Sequence, residues 1–193
     1  MADQFKIAMR NTIKDVRSKV SASYRSTSSN QICTRIRALE QYRRAKNIAL
    51  YFAVNGEIEL DALWNSAPLH GKFCYFPVLN DNLTLSFLPA TPATPFKNNR
   101  YGIPEPDVSL DLAVGVEELD LMIVPLVAFD MRCTRLGMGA GYYDRTLEKK
   151  QPKHLFGVAF QFQQVDFIDP QPWDIPLDAV ITQKAIYWRN PPA

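Results

Sequence analysis

The chemistry of soft metals and activated nucleophiles is thinly supplied in this chain. Its 193 residues contain two histidines, His70 and His154, and three cysteines, Cys33, Cys74 and Cys133. None of the cysteines stands at CxxC spacing, which argues against a zinc site and fits a reducing compartment better than a disulfide framework. An excess of one charge sign is missing too. The 22 Lys and Arg nearly balance the 20 Asp and Glu, for a net charge of +2, so there is no global field for nucleic acid or anionic lipid. Any anion site must then be local. Long apolar runs are also absent: none approaches the roughly 18 residues that span a bilayer. Residues 1–20 interleave charges where a secretory leader needs an apolar core. These absences lead to the expectation of a soluble cytoplasmic protein, a monomer, with neither nucleic acid nor membrane as partner. What is present is ordinary globular material, and the length suits one domain over residues 1–193 with a core that needs no staples.

Periodicity predicts a helix over residues 4–21, with Phe5, Met9, Ile13, Val16 and Val20 toward the core and Arg10, Lys14 and Arg17 as a cationic stripe beside them. Such a stripe is as readily a solvated face as a binding surface. Ser26–Asn30 reads as a turn, followed by a helix carrying Ile32, Ile36, Leu39 and Tyr42. From Asn47 the period changes. Ile48–Val54 is a short continuous apolar run, the pattern of a strand covered on both faces, and Asn55-Gly56-Glu57 follows as a sharp turn. A short helix from Leu60 to Trp64 and strands at 73–78, 83–87, 121–124, 155–160 and 179–182 complete the pattern, the last taken as the final strand. Five prolines within residues 89–106 predict a long surface loop without regular ladders. Strands alternating with helices imply a single three-layer α/β/α domain with a mainly parallel sheet, Rossmann-like.

Three of the eight glycines stand within Arg135-Leu136-Gly137-Met138-Gly139-Ala140-Gly141, directly before a predicted helix at Tyr142–Lys149. Alternating glycines let a backbone approach a ligand, and a helix start presents free N–H groups to an anion. Arg135 and Arg145 bracket the segment with guanidinium groups suited to phosphate. As a bare pattern GxGxG is equally a tight strand-to-helix turn, and Asp144 is equally an acid in a first helical turn. The company of two Arg, two Tyr and one Asp around three Gly, at a strand's carboxyl end, favours a binding role.

Val124-Pro-Leu-Val-Ala-Phe-Asp130 followed by Arg135–Arg145 closely resembles the signature of the 5-formyltetrahydrofolate cyclo-ligase (methenyltetrahydrofolate synthetase) family. The resemblance continues in order through Tyr51–Glu59, Tyr101-Gly-Ile-Pro-Glu105-Pro106 and Trp173-Asp174-Ile-Pro-Leu-Asp178-Ala-Val-Ile-Thr182. Departures are the Arg10, Ile13, Lys14 pattern of the first helix, Cys133 in a turn that commonly carries Gly, and Ala140 where Gly or Lys is frequent. The resemblance implies ATP- and Mg²⁺-dependent conversion of 5-formyltetrahydrofolate, with or without a polyglutamate tail, to 5,10-methenyltetrahydrofolate. It implies ATP binding by Arg10, Lys14 and Arg135, Leu136, Gly137, Met138, Gly139, Ala140, Gly141, Tyr142 and Tyr143. Catalytic roles fall to Arg135, Tyr142 and Arg145, and Asp144 and Asp174 would hold Mg²⁺. Folate contacts are expected from Phe52, Glu57, Tyr101, Met138, Gly139, Ala140, Gly141 and Tyr142, with Glu57 on the pterin edge and Glu59 as its alternate. From residue type alone Glu57 could be a solvated turn residue, Asp174 a plain loop carboxylate and Phe52 core. Two other readings stay open: another phosphate-binding α/β enzyme, or a binding module using Arg10, Lys14, Arg17, Arg43 and Arg44 on nucleic acid.

Overall fold

The structure, a computed structural model, describes residues 2–191. Helices α1 (Ala2–Ser18), α2 (Ala22–Ala38) and α3 (Glu40–Arg44) lead into strand β1 (Asn47–Ala49), followed by α4 (Asp61–Ser66). Strands β2 (Phe73–Leu79) and β3 (Leu85–Pro89) precede a small pair, β4 (Phe96–Asn98) and β5 (Pro104–Pro106). Then come β6 (Leu121–Pro125), a ribbon of β7 (Ala128–Phe129) and β8 (Arg135–Leu136), α5 (Tyr142–Leu147), β9 (Leu155–Val158), β10 (Ala179–Ile181) and β11 (Ile186–Trp188).

The main sheet has seven strands in the order β11-β10-β9-β6-β1-β2-β3. Its five inner strands are parallel, and β3 and β11 run antiparallel at the edges. The apolar runs read correctly as doubly covered strands. Along β6, Leu121 and Ile123 face the helical layer of Ile32, Ile36, Tyr42 and Leu63, while Met122 and Val124 face Phe129, Tyr142, Leu147 and Leu177. The two outer layers are unequal: α2, α3 and α4 cover one face, and the short α5 with the β7–β8 ribbon contributes to the other. Counting only the parallel strands, the order is 2-1-3-4-5, which reverses between β1 and β6. In open α/β sheets that switch point is where a crevice opens at the strands' carboxyl ends.

Several local expectations are corrected. Ser26–Asn30 is not a turn but the middle of α2, whose cap lies further back, where Ser21 Oγ accepts from Tyr24 N at 3.2 Å. Ser28 and Ser29 are buried there, and Ser29 Oγ accepts the Glu59 N–H at 3.0 Å, so tertiary contacts explain the serines. The first strand is shorter than its apolar run, because the chain leaves the ladder after Ala49 to build the crevice wall. A further strand, β11, follows the expected last one. The proline-rich stretch does hold a ladder: Phe96 pairs with Pro106 and Asn98 with Pro104. Flanking bonds Asp107 N→Pro95 O (2.8 Å) and Asn99 N→Ile103 O (2.9 Å) put both prolines at positions whose nitrogens point away from the partner strand.

The first helix differs most. Phe5 is 66% and Val16 43% exposed, whereas Lys6, Ile13 and Arg17 are buried and Arg10 is half-buried. Spacings of four, three and four place Lys6, Arg10, Ile13 and Arg17 on one face. The inward face of α1 is therefore largely cationic; Ile13 joins the small cluster of Val127, Ala128, Leu136 and Ile168, and half-buried Met9 packs against it. Of the expected apolar stripe, Phe5 and Val16 are the residues that miss the core, while Val20, just past the helix, packs on the main core.

Candidate active site

A cleft of about 960 Å³ opens at the switch point, walled by the segments that follow β1 and β6. The β6 side is the glycine segment. Gly139 (φ 105°) and Gly141 (φ 70°) take left-handed conformations that a side chain would strain. A Cβ at Gly141 would also lie 2.9 Å from Arg145 Nη1. Arg145 bonds the Ala140 carbonyl and, through Nε, the Leu83 carbonyl at 3.1 Å. Arg10 Nε donates to Gly137 O at 2.9 Å, which joins α1 to the loop. Because α5 has only six residues, the guanidinium groups that line the cleft, rather than a long helix dipole, provide the positive character.

What aims this segment is Asp130. Its Oδ1 accepts Arg132 N and Thr134 N, each at 3.0 Å, and its Oδ2 accepts Ile168 N at 3.2 Å and Arg132 Nη2 at 3.0 Å. Burial pushes this carboxyl up, but those donors outweigh it and hold it below the ordinary aspartate value. The turn they close sets Cys133 at φ 60°, the backbone reason for glycine being common there, with the thiol buried and 3.2 Å from Tyr187 O. Arg135 emerges from this turn with little exposure, pairs with Asp144 and lies 5.5 Å from the Tyr143 ring centroid.

On the β1 side, Asn55 (φ 52°) and Gly56 (φ 76°) reverse the chain and turn Glu57 inward. Glu57 is 5% exposed, so it is not a solvated turn residue; Oε2 accepts Val54 N at 3.1 Å and Oε1 lies 3.6 Å from Arg17 Nη2. Burial raises its pKa, and Arg17 and the Val54 N–H oppose the rise. Glu59 points elsewhere, to Arg25 Nε at 3.1 Å. Phe52 is both core and wall: it stacks on Phe76 at 4.4 Å and meets Trp64 and Phe96 edge-on while lining the cleft. The β4–β5 hairpin overhangs the opening. Glu105 fastens it by accepting Leu79 N and Asn99 Nδ2, both at 2.9 Å, and Tyr101 stands exposed at the rim. Arg100 donates to the Tyr142 hydroxyl across the gap.

Asp144 and Asp174 share the cleft, and Ile175 N lies 3.5 Å from Asp144 Oδ1. Asp174 Oδ2 accepts Gln171 N at 2.8 Å and sits 3.6 Å from Lys6 Nζ. Among the described residues, bonds go to one oxygen of each carboxylate. The second oxygen of each is left without a protein hydrogen bond among those residues. Two carboxylates on the wall of a cation-rich cleft are a donor set of the kind magnesium uses, with phosphate and water as its remaining ligands. No group of three or more His, Cys, Asp or Glu gathers among the described residues.

The model of the 5-formyltetrahydrofolate cyclo-ligase family matches residues 2–183. The chain belongs to that family. A 5-formyltetrahydrofolate cyclo-ligase of Haemophilus influenzae is 39% identical over 181 residues, covering 92% of this chain and 97% of the relative. One from Escherichia coli K12 is 35% identical, covering 81% and 88%. Among solved structures, the 5,10-methenyltetrahydrofolate synthetase of Aquifex aeolicus superposes with a TM-score of 0.85 at 30% identity, over 97% of this chain and 94% of that one. The Mycoplasma pneumoniae synthetase gives 0.73 at 27%, over 92% and 98%. The resemblance seen in the motifs and the mostly parallel α/β fold are thereby established.

Of the residues singled out for this cyclo-ligase fold, Arg10, Phe52, Glu57, Tyr101, all of Arg135–Arg145 and Asp174 stand on the cleft wall. Lys14 does not; it is half-exposed on another flank of α1, and Lys6 lines the cleft instead. Sequence reasoning missed Lys6, Arg17 as the partner of Glu57, Arg100, and the fastening roles of Glu105 and Asp130. The 6-10-13-17 spacing was a signal, but it was obscured by taking the more apolar stripe as the buried one. The remaining residues are joined only by contacts between distant segments. Burial of Arg17, 1% exposed, also removes it from any surface patch for nucleic acid.

Proposed function

We propose that this chain catalyses ATP- and Mg²⁺-dependent conversion of 5-formyltetrahydrofolate to 5,10-methenyltetrahydrofolate, releasing ADP and phosphate. A formamide oxygen is a poor leaving group. Transfer of the γ-phosphoryl group to that oxygen makes it a good one; N10 then attacks the activated carbon, closes the ring and expels phosphate. Such chemistry asks for positioning and charge neutralisation rather than a protein nucleophile.

The observation that carries this reading is the meeting, in one cleft, of four cationic side chains with a buried acceptor. Lys6, Arg10, Arg135 and Arg145 would hold the phosphates, with the backbone of Gly137, Gly139 and Gly141 lining the same wall. Asp144 and Asp174 would hold Mg²⁺, which neutralises charge on phosphate oxygens when bound. Glu57, some way along the β1 wall, would accept N–H bonds from the pterin edge, and Phe52, Tyr101 and Tyr142 would flank the rings. Incubation with 5-formyltetrahydrofolate, ATP and Mg²⁺ tests this through the near-ultraviolet absorbance of the methenyl product. No ATP-dependent rise in absorbance would overturn it.

A further inference from the structure

Arg17 touches the cleft nowhere, yet it is among the most thoroughly buried side chains of the protein, at 1% exposure. An arginine so placed carries a large desolvation cost and needs partners that justify it. Its partners join three segments. Nε donates to Asn55 O at 3.0 Å, in the turn after β1. Nη1 lies 3.4 Å from Leu126 O, just past β6. Nη2 sits 3.6 Å from Glu57 Oε1 and is the one nitrogen of the group without a hydrogen-bond acceptor among the described residues. The same helix end crowds the turn from above, since a Cβ at Gly56 would lie 3.3 Å from the Arg17 carbonyl oxygen. One guanidinium thus ties both sides of the switch point together beneath the carboxylate.

We infer that Arg17 is the positioning residue of the folate end: it holds the Asn55–Glu57 turn in place and supplies the countercharge that keeps Glu57 an anion, without touching substrate itself. The spacing matters. At 3.6 Å the guanidinium is near enough to act electrostatically but beyond hydrogen-bond range, so Glu57 Oε1 keeps its lone pairs for a ligand. Oε2 is already engaged by Val54 N. An acceptor aimed at N–H donors must be ionised to use both oxygens, because a protonated carboxyl spends one of them as a donor. Two other titratable groups couple to this carboxylate, the phenols Tyr51 on its own segment and Tyr143 from α5, and neither can supply positive charge. The guanidinium of Arg25, 3.8 Å from where a Cβ at Gly56 would stand, is paired with Glu59. Burial already raises the Glu57 pKa, and Arg17 is the first of the influences opposing it. Without Arg17 the carboxyl therefore titrates at higher pH, and the folate site weakens where the acid is protonated and recovers as pH rises.

This assignment rests on the proposed folate role of Glu57, and the test separates the two. Binding of 5-formyltetrahydrofolate alone, and of ATP alone, is measured by calorimetry on the full chain across a pH series from mildly acid to alkaline, the direction in which a carboxyl of raised pKa gives up its proton. For the Arg17→Met variant we expect folate affinity about 100-fold weaker near neutrality, recovering by about 10-fold or more toward the alkaline end, with ATP affinity within about twofold of wild type. Arg17→Lys, which retains the charge, is expected to lose about 10-fold or less and to keep a flat pH profile. It also serves if the methionine variant does not fold. Equal losses for folate and ATP in the folded variants, or a folate loss in R17M that does not depend on pH, would reduce Arg17 to a structural tie. A wild-type protein that binds folate no better than R17M overturns the assignment alone; a wild-type protein that does not bind 5-formyltetrahydrofolate at all overturns the functional reading with it.

Discussion

The two walls of the cleft hold their charges in opposite ways. Beyond β1, Glu57 is 5% exposed, bonded to its own turn and backed by a buried arginine. Beyond β6, cations that are themselves buried pair with carboxylates more open to the cleft, Arg135 with Asp144 and Lys6 with Asp174, pairs a ligand could separate. The difference fits two tasks. Recognition of a neutral heterocycle needs one acceptor fixed in a low-dielectric pocket, where each misaligned bond is costly. Handling of phosphates needs several cations that exchange an internal carboxylate for an incoming anion, leaving that carboxylate for a metal.

The comparison can be broken most sharply at Arg135. Replacement by Gln should lower kcat about 1,000-fold in the methenyl absorbance assay, the scale of losing a charged donor aimed at a transition state; a change in folate KM alone would place Arg135 on the wrong wall. Glu57→Gln should raise the folate KM about 100-fold and leave the ATP KM nearly unchanged. An effect confined to ATP would erase the proposed division between the walls. Asp130→Asn probes the frame behind the β6 wall. It should cost about 2 kcal/mol in denaturant unfolding at neutral pH, since a buried carboxylate accepting several N–H bonds becomes an amide that cannot accept them all. The Asp130 carboxyl is held below its ordinary value, so its stabilisation is present above the unfolded aspartate pKa and is lost as pH falls through the lower folded one. The cost of the variant should accordingly shrink below about pH 4. The smallest effect sharpens the N-terminal helix: Lys6→Ala should raise the ATP KM about 10-fold and Lys14→Ala distinctly less, as a cleft-facing cation does more than a half-exposed one. Equal effects would place both lysines at the phosphates.

Much of the architecture was legible because burial on both faces leaves a short unbroken apolar signature, as in Leu121–Val124 and Leu155–Val158. The glycine segment was legible because positive φ at Gly139 and Gly141 is a demand that few residues meet. Proline misled at 104 and 106, since its effect depends on which way a missing N–H would have pointed, and that is a matter of register. The first helix misled for a related reason. Apolar periodicity marks the buried face only when that face meets a hydrophobic core, and here much of it meets an open cleft and a buried acid.

Most of the inner strands, the crowding of small and basic residues after one of them and the motifs that carry the family resemblance followed from the chain's local chemistry, because each is written in neighbouring residues. Which carboxylate turns inward, that Lys6 rather than Lys14 reaches the cleft, and that Arg17 stands behind Glu57 were decided only in three dimensions. Those facts depend on how α1 lies across the sheet's switch point. A contact between residues 17 and 57 leaves no trace in the spacing of either.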